Sequence, residues 1–426
     1  MTLDELVRAT PPDRDRYVDF LRAVSIVAVM VGHWVIGLVA WNGGVIRSAS
    51  AIGRAPGLWL GTWALQVMPV FFFVGGYSNY AAYRSSQQRG EPTSTFVGRR
   101  VRRLVLPFAP FLAVWTAAQV GLHLSDTGSP TGPRLGDLTL LRGVRPPGQT
   151  IPFGPLWFLA VYLAVVAVSP LTIRLHHRFR WWVPAVMIAG AVAADGFGFI
   201  GGQPRVRYLN VAFVLLFPHQ IGHFYGDGTL DRWSKRVPAA MMAAGMGALI
   251  LLTNPWVFSP FGTQRWRWFP GIGHYPRSLL GTDVEKISNA YPPTLCFLAA
   301  CIWMIGLAVM LREPITRWLQ RRRPWKATVA VNSRIMTLFL WHMTAFLLAV
   351  IALWPLGLGH QTTPSLRWWA ERPLWIAVPA AILAAIVAIL GPFENRGHAP
   401  RASPPANAAP RPPGLAGRRD GPILAS

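Results

Sequence analysis

Ten long apolar runs alternate with polar connections along the 426 residues of the chain. Each run has the roughly 20 residues that a helix needs to cross about 30 Å of hydrocarbon. Because backbone polar groups find no water inside lipid, such runs are expected to form helices. The pattern predicts an all-α polytopic bundle of about ten transmembrane helices, at residues 20–40, 60–82, 104–122, 155–173, 181–199, 208–225, 237–253, 294–311, 335–353 and 374–391.

The basic residues indicate which side of the membrane each connection faces. Of the 41 Lys and Arg residues, 27 lie in the two terminal segments and every second connection, and 13 lie in the other connections, which are longer in total. Positive charge concentrates in cytoplasmic loops, so we expect both termini in the cytoplasm. The predicted organisation is a cytoplasmic segment at residues 1–19, a transmembrane domain at 20–391 and a disordered Pro/Ala/Arg-rich tail at 392–426.

The composition narrows the class of protein and its partners. With 52% hydrophobic and only 14% charged residues, the chain is too apolar for a soluble protein of this length. The net charge of +24 could suggest nucleic acid, but the basic residues lie in loops between apolar runs, which favours the lipid bilayer as the partner. Cys296 and Cys301 share one apolar run and show no metal-ligand spacing, so we expect no bound cofactor or metal. The Arg, Ala, Trp and Pro bias suggests a bacterial genome of high GC content, and together with the apolar runs it leads us to expect a bacterial plasma-membrane protein.

The first apolar run contains two ionisable residues. Arg22 and His33 are eleven residues apart, which is three helical turns plus about 20°, so they share one helix face about 16 Å apart. Asp19 precedes Arg22 by three residues and can pair with it. We expect Arg22 near the cytoplasmic surface and His33 near the middle of the membrane. At that depth His33 is either a packing residue bonded to another helix or a functional group, and a neutral imidazole can act as a general base.

The segment "DFLRAVSIVAVMVGHW" resembles the first helix of the acyltransferase-3 family of bacterial membrane acyltransferases, in which an Arg, ten residues and a His follow one another. Later segments resemble further family helices in the same order, although Gly75 stands where the family usually has serine. These segments are "MPVFFFVGGYSNY" (68–80), "FVGRRVRRLVLPF" (96–108), "PLWFLAVYL" (155–163) and "VNSRIMTLFLWHM" (331–343). The resemblance implies a membrane O-acyltransferase that moves an acyl group, expected to be acetyl, from acyl-CoA to a hydroxyl of a carbohydrate, envelope glycan or secondary metabolite.

The resemblance also implies roles for individual residues. His33 would be the catalytic base, and Arg22 would orient the donor or offset negative charge. Guanidinium groups bind phosphates bidentately, and the resemblance implies that an arginine segment holds the phosphates of acyl-CoA, although anchoring at the cytoplasmic surface would need the same residues. That segment contains Arg99, Arg100, Arg102 and Arg103. Further candidates from the late helices are Asn332, Ser333 and His342.

Two alternatives stay open at this point. His219 and His223 are four residues apart and could share a metal, but no third ligand is obvious nearby, which favours an interfacial role. The polar faces could instead belong to a non-catalytic transporter or flippase of a lipid-linked or acylated molecule, in which Asp19, His33 and Asp195 would relay protons. Acyl-CoA consumption distinguishes the enzyme from the transporter.

Overall fold

The computed structural model of the protein describes residues 2–12, 14–42, 45–124, 154–253, 274–282, 285, 287–361 and 363–396. Most of these residues are helical. Their two β-strands form one antiparallel hairpin, in which β1 (Gly37–Asn42) pairs with β2 (Val45–Ser50). The helices are α1 Leu3–Arg8, α2 Arg16–Ile36, α3 Leu58–Leu65, α4 Met68–Gln88, α5 Thr93–Val105, α6 Phe108–Leu124, α7 Leu156–Phe179, α8 Trp182–Phe199, α9 Asn210–Gly226, α10 Arg236–Thr253, α11 Leu295–Trp318, α12 Arg322–Asn332, α13 Ile335–Leu353 and α14 Leu366–Arg396.

The predicted spans correspond to helices of the fold. Nine helical segments in the described part of the chain are long and apolar enough to cross a membrane, two of them made of consecutive helices, α3–α4 and α5–α6. The predicted span at 208–225 forms α9, which has 17 residues and is slightly shorter than these nine. The all-α, multi-pass prediction is therefore confirmed.

The first span ends earlier than predicted. α2 stops at Ile36 instead of residue 40, and the chain continues directly into β1. The last carbonyls of a helix need partners from outside it, and here the guanidinium of Arg372 in α14 donates to the carbonyls of Val35 at 3.2 Å and Gly37 at 3.4 Å. His33 consequently lies in the last turn of α2.

The C-terminal helix is longer than predicted. α14 continues to Arg396, five residues beyond the expected end of the transmembrane domain at 391. The rest of the predicted disordered tail, residues 397–426, lies outside the described residues. So do residues 125–153, between the third and fourth predicted spans, and residues 254–273, between the seventh and eighth.

Close packing of two helices forms the centre of the bundle. At Gly76 of α4, a Cβ would lie 1.9 Å from the carbonyl oxygen of His219 in α9, and at Gly222 of α9 a Cβ would lie 2.2 Å from the carbonyl oxygen of Phe73. Glycine at both positions therefore allows the two backbones to touch. α2 lies beside this pair and contacts α4, α11, α12, α13 and α14, so its polar residues face the interior of the bundle.

Candidate active site

A cavity of about 170 Å³ lies between α2, α4, α5, α7 and the junction of α12 with α13. One end is polar and the other is apolar. The polar lining comes from Arg14, Arg22, Ser78, Asn79, Arg100, Arg103, Tyr162 and Asn332. The apolar lining comes from Ile26, Phe71, Leu104, Pro107, Phe158, Leu159, Val166, Ile335, Met336 and Phe339.

Arg22 is held in place from two sides. One guanidinium nitrogen donates to Asp19 Oδ1 at 3.0 Å, and the other donates to the hydroxyl of Ser78 at 2.8 Å. The second carboxylate oxygen of Asp19 accepts from Arg14 Nε at 2.5 Å. The expected pairing of Asp19 with Arg22 is therefore present, and Asp19 fixes two of the arginines that line the cavity.

Arg100 reaches the same point from α5. Its guanidinium donates to the backbone carbonyl of Ser78 at 2.5 Å, so one serine accepts from Arg22 through its hydroxyl and from Arg100 through its carbonyl. Arg103, one turn further along α5, also lines the cavity. Four arginines thus line the cavity, two of them bonded to Asp19, and none of its described lining residues is Asp or Glu, so its positive charge suits an anionic ligand.

The arginine segment divides between two faces of α5. Arg100 and Arg103 face the cavity, whereas Arg99 is 53% exposed and pairs with Glu91 in the connection before α5. Arg102 is exposed and is not among the lining residues. Hydrogen bonds from Arg89, Arg99 and Ser86 hold the pKa of Glu91 well below its usual range, so Glu91 remains ionised. Two of the four predicted phosphate-binding arginines are therefore placed at the cavity.

The two polar residues at the end of α12 have different surroundings. Asn332 lines the cavity and donates to the carbonyls of Asp19 at 2.8 Å and Thr328 at 2.9 Å. Ser333 donates to the carbonyl of Ala330 at 2.8 Å, one turn back in its own helix, and is not a lining residue. Asn332 thus joins α12 to α2 beside Arg22, while the Ser333 hydroxyl satisfies the end of α12.

His33 contacts His342, the other histidine among the candidate site residues. Nδ1 of His33 lies 3.3 Å from Nε2 of His342, and Nδ1 of His342 lies 2.7 Å from the carbonyl oxygen of Phe339. A carbonyl only accepts, so His342 carries its proton on Nδ1, and in the neutral ring its Nε2 is an acceptor. With His342 Nε2 as the acceptor, this contact places the proton of His33 on Nδ1 and leaves a lone pair on His33 Nε2. The backbone carbonyl of Val29, one turn earlier on α2, also accepts a hydrogen bond from His33. A histidine in this tautomer can accept a proton at Nε2.

The histidine pair lies beyond the apolar end of the cavity. Within the described part of the chain, neither His33 nor His342 is among the lining residues. Phe339 connects the two places, because it lines the cavity and its ring lies 6.1 Å from the ring of His342, one turn later on α13. The structure therefore groups Arg22 with Arg100, Arg103 and Asn332, groups His33 with His342, and separates the two groups by apolar side chains.

Four polar cavity residues were missed by sequence reasoning: Arg14, Ser78, Asn79 and Tyr162. Ser78 and Asn79 do leave a signal, because they form a polar pair within the apolar run "FFFVGGYSNY". Tyr162 leaves none, since an aromatic residue in a span usually packs or lies at the interface. A Cβ at Gly75 would lie 2.9 Å from the Tyr162 ring and 3.2 Å from its hydroxyl, so Tyr162 occupies the space beside the glycine.

The other buried histidines form a separate cluster. His219 accepts from the Asn79 amide at 3.1 Å, its ring lies 4.8 Å from that of His223, and His176 pairs with Asp227 at 3.1 Å. Asn79 also lines the cavity, so the cluster lies directly behind the cavity wall. Among the residues described, no group of three or more His, Cys, Asp or Glu side chains is arranged to hold a metal ion.

Neither a second, apolar cavity nor the buried Asp195 offers a group that could act as a general base on a bound substrate. The apolar cavity, about 400 Å³, is lined by Trp59, Leu60, Trp63, Ala64, Met246, Ile250 and Trp303, none of which titrates. Asp195 accepts from the Tyr275 hydroxyl at 2.6 Å, the Asn210 amide at 2.8 Å and the Leu295 backbone N–H at 2.9 Å. These bonds tie the ends of α8, α9 and α11 together, so Asp195 has a structural role and lends no support to the transporter alternative.

Comparisons with known proteins assign the chain to a family. The family model Acyltransferase 3, described as an acyltransferase domain, matches residues 15–393. The matched region includes α2 and the histidine pair. It also includes all the cavity-lining residues apart from Arg14. Comparison with curated proteins found no match, and neither did comparison with solved structures. Because the match covers nearly the whole chain, the chain belongs to the acyltransferase-3 family and is a multi-pass membrane acyltransferase.

Proposed function

We propose that the protein is an O-acyltransferase of the bacterial plasma membrane that takes an acetyl group from acetyl-CoA at the cytoplasmic side. The acceptor would be a hydroxyl of a carbohydrate, an envelope glycan or a secondary metabolite. The observation that carries the choice of donor is the two-ended cavity, with Arg22, Arg100 and Arg103 at one end and apolar side chains at the other. The arginines would bind the phosphates of coenzyme A, and the apolar end would face the acyl group.

In the proposed reaction His33 carries one proton in two transfers, from the acceptor hydroxyl to its Nε2 and from Nε2 to the leaving thiolate. The acceptor oxygen attacks the thioester carbon and forms the new C–O bond while His33 Nε2 takes the hydroxyl proton. The C–S bond breaks, and the coenzyme A thiolate receives that proton and leaves as the thiol. His342 keeps the other proton of His33 on Nδ1 by accepting its hydrogen bond. Transfer requires the thioester to pass the apolar side chains that separate the cavity from His33.

Acetyl-CoA consumption tests the proposal. Purified protein in lipid nanodiscs would be given radiolabelled acetyl-CoA and an envelope extract from a strain that lacks the gene, and free thiol and labelled product would be measured. We expect transfer by the wild type and loss of about 10²–10⁴-fold in His33→Ala, the usual contribution of a general base. Phe197→Ala is the matched control, because Phe197 is 63% exposed on α8, away from the cavity.

Two results would contradict the proposal in different ways. Full transfer by His33→Ala would exclude His33 as the base while leaving an acyltransferase. Movement of a labelled lipid-linked molecule across the membrane without any consumption of acyl-CoA would replace the enzyme with the transporter. Mass spectrometry of envelope glycans and small metabolites from the deletion strain would identify the acceptor as the molecule that loses an acyl group.

A further inference from the structure

The lining of the cavity changes from polar to apolar along each of three helices. The change runs from Arg22 to Ile26 on α2, from Ser78 back to Phe71 on α4 and from Asn332 to Phe339 across the α12–α13 junction. The donor group bound at the arginines would therefore point its far end at phenylalanine side chains. Whatever reaches His33 and His342 from this cavity has to pass those side chains.

The described lining of the cavity contains three phenylalanines, Phe71, Phe158 and Phe339, which we call the aromatic partition. The ring of Phe158 packs against each of the other two. The ring centroids of Phe71 and Phe158 are 4.9 Å apart, and those of Phe158 and Phe339 are 5.8 Å apart, both in edge-to-face geometry. These are contact distances for aromatic rings. The partition continues from Phe339 to His342 at 6.1 Å and from His342 to His33 at 5.3 Å, so it lies directly in front of the histidine pair.

The space in front of the partition is small. The cavity of about 170 Å³ is well below the roughly 300 Å³ at which pockets for small molecules usually begin. An acyl chain of several carbons would have to displace two rings that are in contact, whereas an acetyl group needs only a narrow opening between them. Protein interiors are closely packed, so a longer acyl chain binds less favourably for each side chain that it has to displace.

We propose that the aromatic partition restricts the donor to short-chain acyl-CoA, with Phe158 as the residue that sets the limit. Phe158 is the central member because its ring contacts both other partition rings. It also lies parallel to the ring of Tyr162 at 6.1 Å, on the side of the cavity. The proposal rests on the proposed function, since it names the class of acyl-CoA that the same site accepts.

Chain-length preference tests this role. Wild type, Phe158→Ala and the control Phe197→Ala would be assayed with acetyl-, butyryl- and octanoyl-CoA, and kcat/KM compared for each. We expect the wild type to prefer acetyl-CoA. In Phe158→Ala the ratio of octanoyl to acetyl transfer should rise at least about tenfold, since a few methylene groups in an apolar site change kcat/KM by this much or more. The ratio in Phe197→Ala should match the wild type.

A second variant protects the test against misfolding. Phe339→Leu shortens another member of the partition while keeping an apolar side chain, and thermal unfolding in detergent would show which variants are folded. An unchanged preference in a folded Phe158→Ala and in Phe339→Leu would overturn the proposal, as would a wild type that uses octanoyl-CoA as well as acetyl-CoA. Both results would leave the proposed function intact. A wild type that consumes no acyl-CoA of any length would instead contradict the proposed function itself.

Discussion

Nδ1 of His33 lies 3.3 Å from Nε2 of His342, across the contact between the last turn of α2 and the middle of α13. The hydrogen bond from His342 Nδ1 to the carbonyl of Phe339 determines which ring nitrogen is protonated in each histidine. In the proposed reaction His342 would therefore be a positioning residue for His33, in the way that a partner of a catalytic histidine fixes its tautomer.

Substitution of His342 tests this relationship. His342→Leu removes the imidazole acceptor of His33 and leaves the Val29 carbonyl as another, so we expect kcat to fall about tenfold while KM for acetyl-CoA stays the same. In His342→Gln the side-chain carbonyl can accept the same hydrogen bond, so part of the kcat should be retained. Steady-state kinetics of both variants separate the two parameters. Equal kcat in the two variants, or a change confined to KM, would argue against a positioning role.

The division of the arginine segment predicts different effects for neighbouring residues. Arg100 lines the cavity, and loss of a charge-assisted bond to a phosphate weakens binding by about 1.5–3 kcal/mol. Arg100→Ala should therefore raise KM for acetyl-CoA about 10- to 100-fold. Arg99 faces Glu91 instead, so Arg99→Ala should change KM much less. Calorimetric titration with coenzyme A measures the affinity of Arg100→Ala and of Arg99→Ala. A similar loss of affinity in the two variants would show that α5 presents both faces to the donor.

The contact between α4 and α9 predicts a large loss of stability at Gly76. A methyl group there would lie 1.9 Å from the His219 carbonyl oxygen and force the helices apart, at a cost of at least about 2 kcal/mol. Gly247→Ala in α10 is the matched control, because no atom lies within 4 Å of its Cβ position, and it should gain about 0.5 kcal/mol from helix propensity. The thermal unfolding temperature in detergent should fall for Gly76→Ala and rise for Gly247→Ala. Equal shifts in the two variants would contradict the close contact between α4 and α9.

The close contact between Gly75 and Tyr162 predicts that the effect of a substitution at one of these positions depends on the residue at the other. Gly75→Ser places a Cβ 2.9 Å from the Tyr162 ring, so we expect kcat/KM to fall about tenfold as Tyr162 is pushed into the cavity. Adding Tyr162→Leu makes room for the serine and should recover part of that loss. The double variant, measured against both single variants by steady-state kinetics, quantifies the interaction. Additive effects of the two substitutions would show that the positions are independent.

The helices could be predicted from the sequence because each depends on its own run of apolar residues. The contacts at the end of α2 could not, since its last carbonyls are bound by Arg372, more than 330 positions later in the chain. Similarly, the hydrophobic pattern places Arg99 and Arg100 in one segment, but the rotation of α5 against its neighbours decides that Arg100 alone of these two faces the cavity. Nothing local distinguishes two adjacent arginines.

The pairing of Asp19 with Arg22 was predictable for the opposite reason, because three residues along a helix bring two side chains together regardless of the fold. The hydrogen bond between His33 and His342 needed the tertiary structure, since 309 positions separate them. The same holds for the aromatic partition, whose three phenylalanines come from α4, α7 and α13 and individually look like ordinary residues of a transmembrane helix.

The bonds from Arg372 to the end of α2 also have a consequence for biosynthesis. α2 is among the first helices to leave the ribosome, and α14, which carries Arg372, is the last of the helices in the described part of the chain. Chains fold from the N-terminus during synthesis, so the final turn of α2 waits for its partner until nearly the whole protein has been translated and inserted. A chain that ends before α14 therefore lacks the partner of these two carbonyls beside His33, and under the proposed function we expect it to transfer no acyl group.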